Sequence, residues 1–179
     1  YLKRIDLIKS IALNLKDILE KLALSLFYKK IDTLEFVGER ALLEKILKYL
    51  ILIDSKIGIK IATKIAQSNN MTLSIAGLKS LCLTNKKMAL KYLNNFYQKW
   101  SNNDLVLEKW FEMMSSLNFK VDGINYIKKL MRHKSFDMKN PNKLRSVLGT
   151  FQRENILLFH AQDSSGYKFV SQQISIIDK

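Results

Sequence analysis

The chain has 179 residues, enough for one domain, and its 47% hydrophobic content supports a buried core and excludes a disordered chain. Its net charge of +14 comes from 25 lysines and only 5 arginines spread along the sequence, which argues against a nucleic-acid partner because such recognition relies on arginine. No apolar run approaches the roughly 18 residues of a membrane span, so we expect no membrane partner either.

A hydrophobic stripe in the first part of the chain predicts a helix. Apolar residues recur in steps of three and four from Ile5 to Leu26, which places them on one side of a helix. A coiled coil would use the same stripe, but the stripe is short, so a core-facing helix in a helical array is favoured. A second helix is predicted over 33–53. Its buried side is expected to carry Phe36, Val37, Leu43, Ile46, Leu47 and Leu50.

Short polar breaks separate the next three predicted helices. Asp54 or Ser55 is expected to cap a third helix that ends at Ala66, because both side chains can accept a hydrogen bond from a free backbone N–H. The polar break at 68–70 precedes a fourth helix. A second break at 84–85 separates this fourth helix from a fifth.

The second half of the chain continues the same pattern. The turn at 101–104 precedes a sixth helix, and Asp104 is expected to cap it. A seventh helix is predicted near 121–131. Asn140, followed by proline, is predicted to cap a helix over 141–151, because proline at the first helical position has no N–H to satisfy.

These elements together predict the fold class. After an irregular stretch at 155–165, a last helix is predicted over 166–177. About nine helices joined by polar turns predict an all-α fold, an irregular array of packed antiparallel helices that is α-solenoid-like. No fixed-period repeat is visible. The helical pattern is already present at Ile5 and still present at Ile177, without terminal caps. We therefore expect 1–179 to be a single helical domain that is part of a longer polypeptide.

The chain lacks the residue patterns of an enzyme active site. Its two histidines, His133 and His160, are far apart, and neither has a partner at metal-ligand spacing. We expect both to be hydrogen-bonded structural residues in loops. Cys82 lies in the largely apolar stretch 78–83, so it is expected to be a buried hydrophobic residue and not a nucleophile. A lone cysteine favours a reducing compartment, the cytoplasm. We expect no catalytic residue, metal or cofactor in this chain.

Four stretches of the chain form an ordered set of motifs. They are Asn-Asn-Met-Thr at 69–72, Tyr-Gln-Lys-Trp to Lys-Trp-Phe at 97–111, the run with Asn-Pro-Asn-Lys-Leu-Arg at 133–146, and Phe-His-Ala-Gln-Asp-Ser-Ser-Gly-Tyr at 159–167. Together they resemble the C-terminal helical domain of zinc metallopeptidases of the aminopeptidase N type. They follow the order and spacing of the family, whereas the first 68 residues resemble it only in being helical. The family usually has arginine where Lys143 stands and glycine where Ser164 stands.

The resemblance implies that the chain is a truncated part of a larger, non-catalytic C-terminal domain. Such a domain closes over the catalytic and other domains of the same polypeptide and limits the substrate chamber to peptides, whose N-terminal residues the catalytic domain removes. Zinc would then belong to the parent enzyme. The main alternative is a free-standing helical scaffold that binds protein or RNA.

The resemblance also implies roles for individual residues. Arg145 is expected to reach the chamber, where its guanidinium would attract the carboxylate of a short peptide. The alternative for Arg145 is a buried ion pair that braces its helix. Six other motif residues are expected to shape two loops: Asn140, Pro141, Asn142, His160, Asp163 and Gly166.

Overall fold

A computed structural model describes residues 1–29, 31, 33–83, 86–117 and 123–177, with Lys86 described by its backbone alone. Every regular element in these ranges is helical, which confirms the all-α prediction. None of the helices in the described ranges has the length and hydropathy to cross a membrane. The chain divides into two compact units, Tyr1–Tyr92 and Leu93–Lys179. That 1–179 is a single truncated domain remains a prediction.

The first unit is a set of antiparallel helices with its core around one central helix. Its elements are α1 (Leu2–Asn14), α2 (Lys16–Tyr28), a 3₁₀ turn (Leu34–Phe36), α3 (Val37–Leu52), α4 (Lys56–Ile65), α5 (Met71–Cys82) and the start of α6 (Lys86–Trp100). Helix α3 packs against α2, α4 and α5. As predicted, the residues of α3 at helical spacing are buried: Leu43, Ile46, Leu47 and Leu50.

The predicted single helix over the first stripe is wrong in one respect. At Leu15 the backbone leaves the helical region, with φ −102° and ψ 9°, so the stripe is divided between α1 and α2. The hydrogen bonds continue across this point, because the Leu15 N–H donates to the Ile11 carbonyl and the Leu19 N–H to the Leu15 carbonyl. No glycine or proline marks the division, and the hydrophobic rhythm runs through it. Leu15 itself is 42% exposed.

The start of the second predicted helix also differs. The segment begins with the 3₁₀ turn, and Val37, predicted to be buried, is 59% exposed. The 3₁₀ turn has three residues per turn, so it shifts the face that each side chain occupies relative to a continuous α-helix. Phe36 is half-buried.

Helices α4 and α5 begin at polar caps and pack closely. Of the two predicted caps for α4, Ser55 accepts the hydrogen bond, from the Gly58 N–H at 3.0 Å. Asn70 caps α5 by accepting from the Leu73 N–H at 3.1 Å. A Cβ atom at Gly77 would lie 2.6 Å from the Ala62 carbonyl oxygen, so this close helix contact requires glycine. The predicted break at 84–85 lies outside the described residues.

The second unit contains the end of α6 and the remaining helices. These are α7 (Asp104–Ser116), α8 (Gly123–Met131), α9 (Pro141–Leu144), a π-helical segment (Arg145–Gly149), α10 (Thr150–Glu154), α11 (Ile156–Phe159) and α12 (Ser165–Ile177). Helix α7 packs against α8, the π-helical segment and α10. The start of the predicted seventh helix, at 121–122, lies outside the described residues.

Three predictions for the second unit need correction. The cap of α7 is Asn103, whose Oδ1 accepts from the Val106 N–H at 3.2 Å, and Asp104 is the first helical residue. Asn103 has the extended backbone that a cap requires. The helix predicted over 141–151 is interrupted by the π-helical segment and continues to Glu154. The predicted irregular stretch at 155–165 contains α11.

Candidate functional site at the Asn140 helix start and the His160 loop

Asn140 organises the start of the helical segment that carries Arg145. Its Oδ1 accepts from the N–H groups of Asn142 at 2.9 Å and Lys143 at 3.2 Å. Pro141 occupies the first helical position, where its missing N–H costs nothing. Two of the free donors at this helix start are therefore satisfied by one side chain.

Lys143 forms an ion pair that the sequence does not reveal. Its Nζ lies 3.0 Å from Oδ1 of Asp104, the first residue of α7. Lys143 is buried, with 7% of its surface exposed, whereas the Asp104 side chain is 74% exposed. In the sequence, Lys143 is distinguished only as a departure from the family arginine. A lysine makes a single-point contact here in place of a bidentate guanidinium fork.

Arg145 lies exposed at the beginning of the π-helical segment. Its Nη1 donates to Oδ1 of Asn142 at 3.3 Å. Within the described part of the chain the ion pairs are formed by other residues, and the one with a buried cation is that of Lys143. The guanidinium of Arg145 remains accessible to a ligand from outside this unit.

The π-helical segment is tied to α7 by side-chain hydrogen bonds. The Ser115 hydroxyl donates to the Val147 carbonyl at 2.7 Å. Asn155, which is 1% exposed, donates through Nδ2 to the carbonyls of Ser115 at 2.9 Å and Leu117 at 3.1 Å. A π-helical turn displaces one backbone hydrogen bond from the α pattern, so the bond from Ser115 stabilises it. The bonds of Asn155 instead hold the residue after α10 against the end of α7. Neither Ser115 nor Asn155 was predicted as a site residue, since no local pattern in the sequence marks either one.

The second loop holds the start of α12 against α11. Asp163 accepts a hydrogen bond from the Ser165 N–H at 2.9 Å, and this bond holds the pKa of the Asp163 carboxyl below its usual range. His160 Nδ1 is hydrogen-bonded to the Tyr167 hydroxyl. A Cβ atom at Gly166 would lie 2.3 Å from the Phe159 carbonyl oxygen, so the backbones of α11 and α12 approach too closely for any side chain.

His133 occupies an aromatic cluster next to this region. Its ring centroid lies 5.2 Å from those of Tyr97 and Trp110, and Nδ1 accepts from the Ser135 N–H at 3.2 Å. Burial lowers the pKa of His133, and the charge of Lys134 lowers it further. As predicted, both histidines are hydrogen-bonded residues in loops.

The chemistry of the donor set does not fit zinc. Across the described ranges, no three His, Cys, Asp or Glu side chains converge where they could hold a metal ion. Nδ1 of His133 and Nδ1 of His160 are hydrogen-bonded to Ser135 and Tyr167, and Cys82 is buried in α5. We therefore assign no metal-dependent step to this chain.

The described helices, with the Asn140 helix start and the His160 loop, form an all-α helical array. A family model described as "Domain of unknown function (DUF3458_C) ARM repeats" matches residues 2–179, and the chain belongs to this family. Armadillo-type repeats are stacked helices, which agrees with the predicted α-solenoid-like class.

The sequence and the structure of this chain are similar to parts of known aminopeptidases. The chain is 28% identical over 142 residues to aminopeptidase N of Escherichia coli, covering 79% of this chain and 16% of that protein. It is 36% identical over 106 residues to aminopeptidase N of Haemophilus influenzae, covering 58% and 12%. A crystal structure of Legionella pneumophila aminopeptidase A in complex with aspartic acid matches with a TM-score of 0.82 and 29% identity, over 98% of this chain and 22% of that chain.

These matches confirm the resemblance to the C-terminal helical domain of the aminopeptidases. The chain spans less than a quarter of the length of each matched protein. It corresponds to only part of each of these aminopeptidases.

Proposed function

We propose that the chain is the non-catalytic cap domain of a zinc-dependent enzyme of the aminopeptidase N type. In this role it closes the substrate chamber and gates the access of peptides, whose N-terminal residues the catalytic domain removes. The observation that carries this proposal is the structural match to an aminopeptidase along almost the whole chain. In the described ranges no three metal-ligating side chains converge, and the proposed role requires none. Closing a chamber excludes water and bulky substrates.

The partners we propose are the catalytic and other domains of the same polypeptide. Large apolar side chains on α1 and α2 are exposed, including Leu2, Leu7, Leu13 and Ile18, each at 60% or more. Large apolar side chains exposed on a protein are typical of surfaces that meet another protein surface. The lone cysteine favours a reducing compartment, and we propose that the enzyme is cytoplasmic.

Arg145 is the residue that we propose to contact peptide in the chamber. It is exposed, permanently charged and placed on a helical segment whose start is fixed by Asn140. A guanidinium binds a carboxylate through two parallel hydrogen bonds, so it would recognise the C-terminal carboxylate of a short peptide. The other motif residues, His160, Asp163 and Gly166 among them, would shape the loops around it.

The test of this role compares two peptides in the full-length polypeptide. R145Q should raise KM for a tetrapeptide with a free C-terminal carboxylate by about tenfold, and leave KM for the matching C-terminal amide unchanged. R153Q removes another exposed arginine of the same helical segment and is the matched control. Equal effects of R145Q on both peptides would contradict the assignment.

The gating role needs a separate measurement. In the full-length polypeptide, L7Q combined with I11Q should weaken the proposed apolar contact between one face of α1 and a neighbouring domain. The control is S10Q, which changes an exposed polar position of the same helix. We expect the double variant to gain N-terminal cleavage of a folded protein substrate, while cleavage of a tetrapeptide is unchanged. If the isolated chain instead binds RNA or protein tightly and the variants leave cleavage unaltered, the scaffold alternative is favoured.

A further inference from the structure

We propose that Lys143 is a positioning residue that fixes the direction of Arg145 through its ion pair with Asp104. The inference rests on the proposed function of Arg145 and adds two residues that the peptide itself does not contact. The ion pair joins the first turn of α9 to the first residue of α7, with Nζ and Oδ1 3.0 Å apart. The two residues are 39 positions apart in sequence.

The burial of Lys143 makes this ion pair different from the others. Among the ion pairs in the described part of the chain, it is the one whose cation is buried, with its side chain 9% exposed. Exposed pairs, such as Lys109 with Glu112, contribute little because water screens both charges. A buried ammonium without a carboxylate is costly, so any movement of α9 away from Asp104 is opposed. The ion pair therefore specifies one position of the first turn of α9.

Hydrogen bonds on both sides connect Lys143 to Arg145. The Lys143 N–H donates to Asn140 Oδ1 at 3.2 Å, and its carbonyl accepts from the Ser146 hydroxyl at 2.7 Å. Asn142, the residue before Lys143, accepts from Arg145 Nη1. When the Lys143 side chain is fixed, the backbone from which the guanidinium extends is fixed as well. Small displacements of a positioned group reduce its contribution strongly.

The experiment uses the full-length polypeptide and the same two peptides. K143M and D104N should each raise KM for the carboxylate peptide about fivefold, with kcat and the KM for the amide peptide unchanged. Unlike K143M, K143R should have the wild-type KM for the carboxylate peptide, because arginine keeps the charge that pairs with Asp104. The control is E112Q, which removes the exposed ion pair between Lys109 and Glu112 on α7 and should leave KM for both peptides unchanged.

The outcomes separate this inference from the proposed function. If R145Q is without effect on the carboxylate peptide, the proposed role of Arg145 fails, and this inference with it. If R145Q raises KM but D104N and K143M do not, only the positioning role is wrong. Asp104 is exposed and D104N preserves its shape, so this variant gives a clear answer even where K143M reduces stability. An equal rise in KM for both peptides also overturns the positioning role, because a general loss of structure acts on both.

Discussion

The ring of His133 lies against the ring of Trp110, with the two centroids 5.2 Å apart. Phe111 faces the same imidazole edge-on at 5.6 Å. Because Nδ1 accepts a hydrogen bond from the Ser135 N–H, the fold requires this nitrogen to be unprotonated. Burial also lowers the pKa of His133, since a charged imidazole is poorly solvated among aromatic rings.

Stability should therefore fall in mild acid. The unfolded chain protonates His133 near its ordinary pKa of 6.5, while the folded chain does so only at lower pH. As pH falls through 6.5 toward the folded pKa, the unfolded state binds more protons and the free energy of unfolding decreases. Urea denaturation between about pH 7.5 and pH 5 measures this. H133Q should flatten the dependence in that window; parallel curves for H133Q and wild type would contradict the prediction.

Two glycine substitutions in the first unit should have opposite effects. G77A places a Cβ atom 2.6 Å from the Ala62 carbonyl oxygen and the Ala66 nitrogen, so α4 and α5 must separate, at a cost of about 2 kcal/mol. G38A meets no atom within 4 Å and should stabilise α3 by about 0.5 kcal/mol, because alanine loses less backbone entropy. Urea denaturation of both variants measures the difference. A neutral G77A would show that the two helices are not in close contact.

Asn155 should be important for the stability of the second unit. N155A removes two hydrogen bonds to buried carbonyls, those of Ser115 and Leu117, and should lower the free energy of unfolding by about 2–4 kcal/mol. N95A changes an exposed asparagine of α6 and should be nearly neutral. Chemical denaturation followed by tryptophan fluorescence compares them, since Trp110 is buried in this unit. Equal stabilities of the two variants would contradict the structural role of Asn155.

The purified 179-residue chain should have no aminopeptidase activity. Alanyl and arginyl chromogenic substrates should not be hydrolysed, with or without added zinc, because the described residues do not supply three converging metal ligands. Zinc and EDTA should also leave its melting temperature unchanged. The full-length polypeptide under the same conditions is the control. Metal-dependent turnover that co-purifies with this chain would show that the prediction is wrong.

Helix starts were the part of the fold most accessible from sequence. Ser55 and Asn140 are caps because a short polar side chain precedes an apolar helix, and capping depends only on the next two or three N–H groups. Asn103 and Asp104 show the limit of this reasoning. Both side chains are good caps, and the choice depends on which residue has the extended backbone, which the local sequence does not determine.

Contacts between distant residues could not be predicted. The Lys143–Asp104 ion pair and the hydrogen bonds of Asn155 join residues 38 to 40 positions apart. Neither has a local pattern, because each depends on how α7 packs against the segment that follows Asn140. The division at Leu15 was missed for a related reason, since one residue leaves the helical region while the hydrophobic spacing continues. The family resemblance made Arg145 a candidate site residue, but only the structure shows that its side chain is exposed.

The π-helical segment at 145–149 has a consequence for how this domain tolerates length changes. A π turn contains one more residue than an α turn, so deleting one residue within 145–149 would restore regular α geometry. Because the i→i+5 hydrogen bonds of a π turn enclose the extra residue, the helix after 145–149 would keep its phase relative to the helix before it. Phe151, which is fully buried, would then keep its place in the core. A one-residue deletion in a regular helix such as α3 would instead rotate everything after it by about 100° about the helix axis, so 145–149 is a segment where the loss of one residue should be tolerated.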